Sequence, residues 1–262
     1  MNITDKEDGL FLQKIAEKCS KAIDTFTPTF TDFLDGRMKK IALDAIKEYA
    51  GKLICVCYGG FEHAERVKIG MFSKDVYGYC EQESELYELF DVAALQIKGS
   101  GFSSFGHRDV MGSVLGLGIK REALGDVYLP DEKSAYLCMN SVVAQYVCDN
   151  LEKVARDKVK VNIVEVDKLP VPQREFAVMS GTVASDRLDC IVSLCTGVSR
   201  EKAKLMITSG NVNVNHFEQL KVDLPVLEED VLSIRGYGRF VIKEHGGLTK
   251  KGRLKTVVHK MI

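Results

Sequence analysis

The sequence predicts an α+β protein in three parts: an N-terminal helical and α+β segment over residues 1–85, a mixed middle domain over 86–180, and a C-terminal domain over 181–262 that ends in a basic tail. Three observations carry this prediction. Helical periodicity dominates the first part. Short apolar runs and helical stretches alternate in regular order from Phe90 to Val166. Beyond Ser185, two short helical patterns are followed by alternating strands.

In the first part, a periodic stretch from Asp8 to Ala22 predicts a helix, and Pro28 breaks the pattern. A second helix is expected over Arg37 to Ala50, with Met38, Ile41, Ala42, Ala45, Ile46 and Tyr49 on one stripe and Gly51 at its end. Leu53 to Tyr58 is a short apolar run bounded by glycines, and Arg66 to Phe72 alternates in a half-buried pattern. Both read as strands.

The middle part orders a strand at Phe90 to Ile97, a Gly/Ser-rich loop, a helix at His107 to Leu117 and a strand at Asp126 to Leu129. Turn residues Pro130 to Lys133 follow, then a strand at Ala135 to Met139, a helix at Ser141 to Val154 and a strand at Val159 to Val166. The order β-α-β-β-α-β is that of the ferredoxin-like (RRM-like) plan, in which two helices cover one face of a four-stranded sheet. Nucleic-acid modules of this plan often use the other face. The third strand lacks the paired aromatics and glycine of the RNA-stacking signature, leaving Tyr128 and Tyr136 as candidate stacking surfaces. Pro170 and Pro172 bracket a stretch of poor periodicity, and a boundary is expected near Gly181.

In the last part, Asp186 to Cys195 reads as a helix with Leu188, Ile191, Val192 and Cys195 inward and Arg187 on the opposite side. Ser199 is placed to cap a second helix, Arg200 to Thr208, with Gly210 just past its end. Arg200 and Lys204 are four residues apart and share a face, with Lys202 on the flank, a cluster of cations fit to hold phosphate. Asn211 to Asn215 alternates as a strand with its valines inward. Val231 to Val241 supplies further strands, interrupted by Arg235-Gly236-Tyr237-Gly238-Arg239.

Bulk properties narrow the class. Apolar residues make up 45% and charged residues 28%, ordinary for a globular chain that folds throughout. No stretch approaches the roughly eighteen uninterrupted apolar residues of a membrane helix, and Met1 to Gly9 is polar and acidic, so a cytoplasmic chain is expected, and a monomer is assumed. The eight cysteines lack zinc-site spacing and are expected to be reduced. The net charge of -1 hides an asymmetry: residues 183–262 hold 13 Lys+Arg against 9 Asp+Glu. Beyond Val231, eight basic residues face Glu244 alone, a concentration suited to phosphate.

Enzyme signatures are missing. Gly116-Leu117-Gly118-Ile119 follows an expected helix and lacks the third glycine of a nucleotide loop. There is no phosphate-cradling Gly-Lys-Ser/Thr loop and no Gly-x-Ser-x-Gly elbow, and His63, His107, His216, His245 and His259 are scattered. No cofactor, metal or catalytic residue is expected. Arg187-Leu188-Asp189 imitates the Arg-Leu-Asp of pseudouridine synthases, but the residues after it are too few for a catalytic domain, so Asp189 is read as a helix-start or salt-bridge residue. The alternatives are an RNA-modifying enzyme of the pseudouridine synthase or methyltransferase type, and a protein-interaction module of the translation or cell-division machinery, which the acidic first 182 residues would suit.

Taken in order, Arg187-Leu188-Asp189, Ser199-Arg200, Ala203-Lys204, Ile207, Gly210, Val212-Asn213-Val214-Asn215, Glu229-Asp230 and Ile234-Arg235-Gly236 resemble the RNA-binding domain of ribosomal small-subunit protein four, the S-four domain, over about sixty residues. Asn215-His216 stands where that family usually has Asn-Gly. The resemblance implies a basic surface of two helices and a hairpin that docks on structured RNA. By carry-over it nominates Arg187, Ser199, Arg200, Lys202, Lys204, Arg235 and Arg239 as phosphate contacts. Tyr58 to Arg66, His107 to Gly112, Gly118 to Asp126 and Thr249 to Arg253 resemble the YlmH-type proteins, in order and over most of the chain. That resemblance implies a bacterial factor that binds ribosomal RNA and tRNA on the large ribosomal subunit and acts on stalled peptidyl-tRNA in translation quality control. It adds His107, Arg108, Lys120 and Arg121 as residues that support tRNA placement.

Overall fold

The computed structural model describes residues 6–170 and 176–261; the start of the polar N-terminus and Pro172 lie outside them. The chain is an α+β protein of two compact units, Met1–Pro172 and Gln173–Ile262.

The first unit opens with α1 (Lys6–Thr25), β1 (Thr29–Phe30), α2 (Gly36–Ile46), β2 (Leu53–Tyr58), β3 (Lys68–Ser73) and the single turn α3 (Lys74–Tyr77). Asp35 caps α2 by accepting from the Met38 N–H at 2.9 Å. The expected continuation to Ala50 tightens into a 3-10 turn at Lys47–Tyr49. The strands form an antiparallel sheet in the order β1-β3-β2. Helix residues Ile15, Cys19, Ala22, Ala42 and Ile46 pack on Ile69 and Met71 from one side, while Phe72, Val56, Leu86 and Phe90 form an aromatic-rich cluster on the other. For this reason all six residues of β3 are buried, rather than half-buried as the alternation suggests. At Gly70 a Cβ would come within 2.6 Å of the Phe72 ring and 2.7 Å of the Phe90 ring, so only glycine fits.

After a 3-10 segment at Glu83–Leu89 come β4 (Ala93–Gly99), α4 (His107–Gly116), β5 (Leu124–Asp131), β6 (Ser134–Met139), α5 (Ser141–Asn150), β7 (Lys153–Val154) and β8 (Asp157–Val164). The sheet order is β5-β6-β4-β8-β7, every pair antiparallel. This is the expected β-α-β-β-α-β plan with one added two-residue strand. Val110, Met111 and Val114 of α4 and Ala144 and Val147 of α5 share a core with Leu95, Ile97, Ala135 and Leu137, so both helices lie on one face. The second helix ends at Asn150, not Val154, because Lys153 and Val154 pair with Lys158 and Asp157 in a hairpin.

The expected boundary at residues 85/86 does not separate two units, because polar anchors cross it. Arg66 donates through Nε to the Leu124 carbonyl at 2.8 Å, and through Nη2 to the carbonyls of Phe33 at 3.0 Å and Arg121 at 3.2 Å. Asp126 accepts from the backbone N–H of Glu65 at 2.5 Å and of Arg66 at 3.2 Å. The buried amine of Lys68 donates to the Asp91 carbonyl at 3.2 Å and to Asn140 Oδ1 at 2.9 Å.

The second unit contains β9 (Phe176–Val183), α6 (Leu188–Thr196), α7 (Arg200–Thr208), β10 (Val212–Val214), β11 (Phe217–Glu218), β12 (Val231–Ile234), β13 (Gly238–Leu248) and β14 (Leu254–Met261). They make one antiparallel sheet in the order β11-β10-β12-β13-β14-β9, with α6 and α7 sharing its core. Two expectations are corrected. The unit begins earlier than residue 181, because β9 pairs along its whole length with β14. The basic C-terminal stretch is also no tail: residues 254–261 form a strand between β13 and β9.

Candidate nucleic-acid interface

Two short helices set the geometry. Gly197, at φ 72, closes α6 in the left-handed conformation and lets the chain turn directly into α7. Ser199 caps α7 by accepting from the Lys202 N–H at 3.3 Å. Arg187 at the cap of α6 and Arg200 at the start of α7 thereby converge on Asp189, whose side chain is fully buried. Arg187 Nε donates to Oδ1 at 3.1 Å and Arg200 Nη2 to Oδ2 at 2.7 Å. The two arginine side chains remain 39% and 48% exposed.

Burial pushes the Asp189 pKa up, but the hydrogen bonds from Arg187 and Arg200 more than offset this, and the carboxyl stays below its ordinary range. Reciprocally, hydrogen bonding to Asp189 raises both guanidinium pKa values further. The carboxylate therefore costs the surface one unit of charge and in return holds two planar cations in a fixed orientation. On the next faces of α7, Lys202 is exposed and Lys204 donates to Glu201 Oε1 at 2.8 Å. Four cations on this ridge face the paired carboxylates of Asp189 and Glu201, with Asp223 close enough to act on Arg187, which still leaves one positive charge in excess.

Not every nominated residue joins this ridge. The Arg235 backbone donates to Asn211, whose own N–H reaches Met206. The Arg235 and Arg239 turn therefore lies toward the far end of α7, roughly 9 Å of helical rise from Arg200. Ser199 accepts at the helix cap, which leaves only its hydroxyl hydrogen for a phosphate. In the first unit, His107 and Arg108 are exposed in the first turn of α4, whereas Lys120 and Arg121 follow its other end, roughly 14 Å of rise away. Arg121 Nη1 lies 3.0 Å from Met111 Sδ, tied down against the helix. These four do not form one cluster.

The sequence reading missed polar residues on the open sheet face. Gln96 and Asn162 stand in register with Tyr136, and Lys98 pairs with Lys160. Their signal was visible in the period-two alternation of β4 and β8, whose other residues face the helices.

Residues 87–168 match the family model described as "Putative RNA-binding domain in YlmH". The chain is 27% identical over 256 residues to ribosome-associated protein quality control protein P2 of Bacillus subtilis (strain 168), a match that covers 97% of this chain and 96% of that protein. Among solved structures, the cell division protein ylmH from Streptococcus pneumoniae matches with a TM-score of 0.51 at 23% identity, covering 64% of this chain and 98% of that one. Residues 87–168 thus match a YlmH-type domain, and the fold likeness is consistent with the α+β architecture of the chain.

Proposed function

We propose that this chain is a ribosome-associated RNA-binding protein, without catalytic activity of its own, that docks on structured ribosomal RNA and tRNA of the large ribosomal subunit and acts in quality control of stalled peptidyl-tRNA complexes. The second unit is an S-four-type module in this reading. The carrying observation is the pair Arg187 and Arg200, aligned on one buried carboxylate at the junction of two short helices, with Lys202 and Lys204 alongside. A basic ridge of this kind reads the spacing of phosphates and the shape of folded RNA, since side chains cannot enter the deep, narrow major groove of an RNA helix. The name of the Bacillus relative supports the ribosomal assignment, and the family match supports RNA as the partner.

The test is co-sedimentation of the full chain with purified large subunits across a salt series, comparing the wild type with a variant carrying Arg200→Ala and Lys204→Ala. Loss of two phosphate contacts flattens the salt slope by roughly two. Equal affinity and slope in both, with folding verified by circular dichroism, would remove the ridge from the interface. A methylated or pseudouridylated product on added RNA would replace this reading with an enzymatic one.

A further inference from the structure

Among the described residues, the sheet face opposite α4 and α5 is only half covered. Leu169 is buried against Ala94 and Cys138, with Phe61, Val92, Val166 and one side of the half-buried Tyr136 around it, so this half is closed by the chain itself up to the tyrosines. The other half carries a continuous row across four strands: Tyr128 is opposite Tyr136, Tyr136 opposite Gln96, and Gln96 opposite Asn162. Directly paired residues project on the same face. The two tyrosine rings are near parallel, at 19° with centroids 6.4 Å apart, and Gln96 Nε2 donates to the Tyr136 hydroxyl at 2.6 Å, which fixes that ring.

The next row runs Ser134, Lys98 and Lys160, both lysines exposed, with Lys158 two residues from Lys160 on the same face. Asp131, at the edge of that row, is occupied by the Ser134 hydroxyl and the Lys133 N–H, each at 2.7 Å. The loop leaving β4 presents Phe102 at 83% exposure. Flat aromatic faces, side-chain amides and flanking amines are the three components that take up an unpaired nucleotide: stacking for the base, hydrogen bonds for its edge, and cations for its phosphate. A duplex, whose bases are already stacked, gains nothing from the tyrosines.

We propose that this half-face binds single-stranded RNA, two or three unpaired nucleotides running across Tyr128, Tyr136, Gln96 and Asn162 with their phosphates toward Lys98 and Lys160. The site rests on the reading of RNA as the chain's partner, but it is separate from the ridge of α6 and α7 and takes a different form of RNA.

Fluorescence anisotropy with a labelled ten-nucleotide unstructured RNA, and with a hairpin RNA as comparison, tests this on the full chain. Lys98→Ala with Lys160→Ala removes only exposed side chains, and Tyr128→Leu with Tyr136→Leu keeps apolar bulk while deleting the stacking faces. Each pair is expected to weaken single-strand binding by roughly fivefold or more, leaving hairpin binding and co-sedimentation with large subunits within about twofold. Unchanged single-strand affinity in both variants overturns the proposal. So does the absence of single-strand binding by the folded wild type, which would instead mark the face for a protein partner. Failure of the Arg200 and Lys204 variant to alter ribosome binding would strike the function proposed above and leave this site standing.

Discussion

Asp189 and Arg200 lie eleven residues apart in sequence, on different helices, yet their side chains meet at 2.7 Å with the carboxylate wholly inaccessible to solvent. Because Arg187 closes on the same carboxylate from the other side, the pair does two things at once. It joins α6 to α7, and it aims two cations outward. Structural and binding roles can be separated by choosing which partner to change.

Asp189→Asn keeps the volume but removes the charge that both guanidiniums face. The expected cost is about 2 kcal/mol of stability in the second unit, below the roughly 3–5 kcal/mol of a fully buried pair because both arginines are half exposed. Urea unfolding followed by fluorescence of a probe attached within residues 176–261 measures this. A midpoint equal to that of the wild type would mean that the carboxylate contributes nothing to the helix junction.

The low pKa of Asp189 gives the sign of an acid effect. A carboxyl whose folded pKa lies below its unfolded value of 3.8 contributes stability that is fully present above that value and is lost as pH falls through the folded one. The second unit is therefore expected to lose stability on acidification from about pH 5 to about pH 2, and Asp189→Asn to lose less over the same interval. Identical pH profiles would rule Asp189 out as the source.

Arg66 and Asp126 belong to two of the sequence blocks that resemble YlmH proteins, and they prove to be joints of the scaffold. Arg66→Ala strips three carbonyls of their donor. It is expected to destabilise the first unit by about 3 kcal/mol, read as a fall in the denaturation midpoint. RNA binding by the folded fraction is expected to be unchanged. A loss of binding without a loss of stability would assign Arg66 to the interface instead.

Burial pushes the thiols of Cys55, Cys138 and Cys195 up to about 12, and that of Cys19 to about 11. All eight cysteines are free thiols. At about pH 8 these four are expected to react with a thiol reagent only on unfolding, since the thiolate is the reacting species. Rapid labelling of Cys138 in the native protein would show that the sheet beneath Tyr136 opens readily.

Much of the fold was legible because its periodicities are clean. The range of α7 follows directly from Ser199, the stripe of Ala203, Met206 and Ile207, and Gly210. The split sheet could be read from element order alone. What the local pattern hid was long-range pairing. β9 looks like linker because its partner, β14, lies some eighty residues away in sequence, and Arg66 looks like a surface cation because its three acceptors come from distant loops. The cation ridge was visible as residue types. The burial of Asp189 and the separation of Arg235 and Arg239 from Arg200 depend on tertiary packing that spacing does not encode. At Asn215-His216 the hairpin forms despite the missing glycine: both residues take positive φ, at 50° and 72°, and Asn215 braces the turn through Asp230 and the Val231 N–H.

The most direct measurement is ultraviolet crosslinking of the full chain bound to purified large ribosomal subunits, with the RNA-adducted peptides located by mass spectrometry. RNA adducts within residues 185–204, lost when Arg200 and Lys204 are both replaced by alanine, are expected. A stable complex whose adducts avoid those residues altogether, or whose crosslinks reach only ribosomal proteins, would contradict the assignment of the α6 and α7 ridge to RNA.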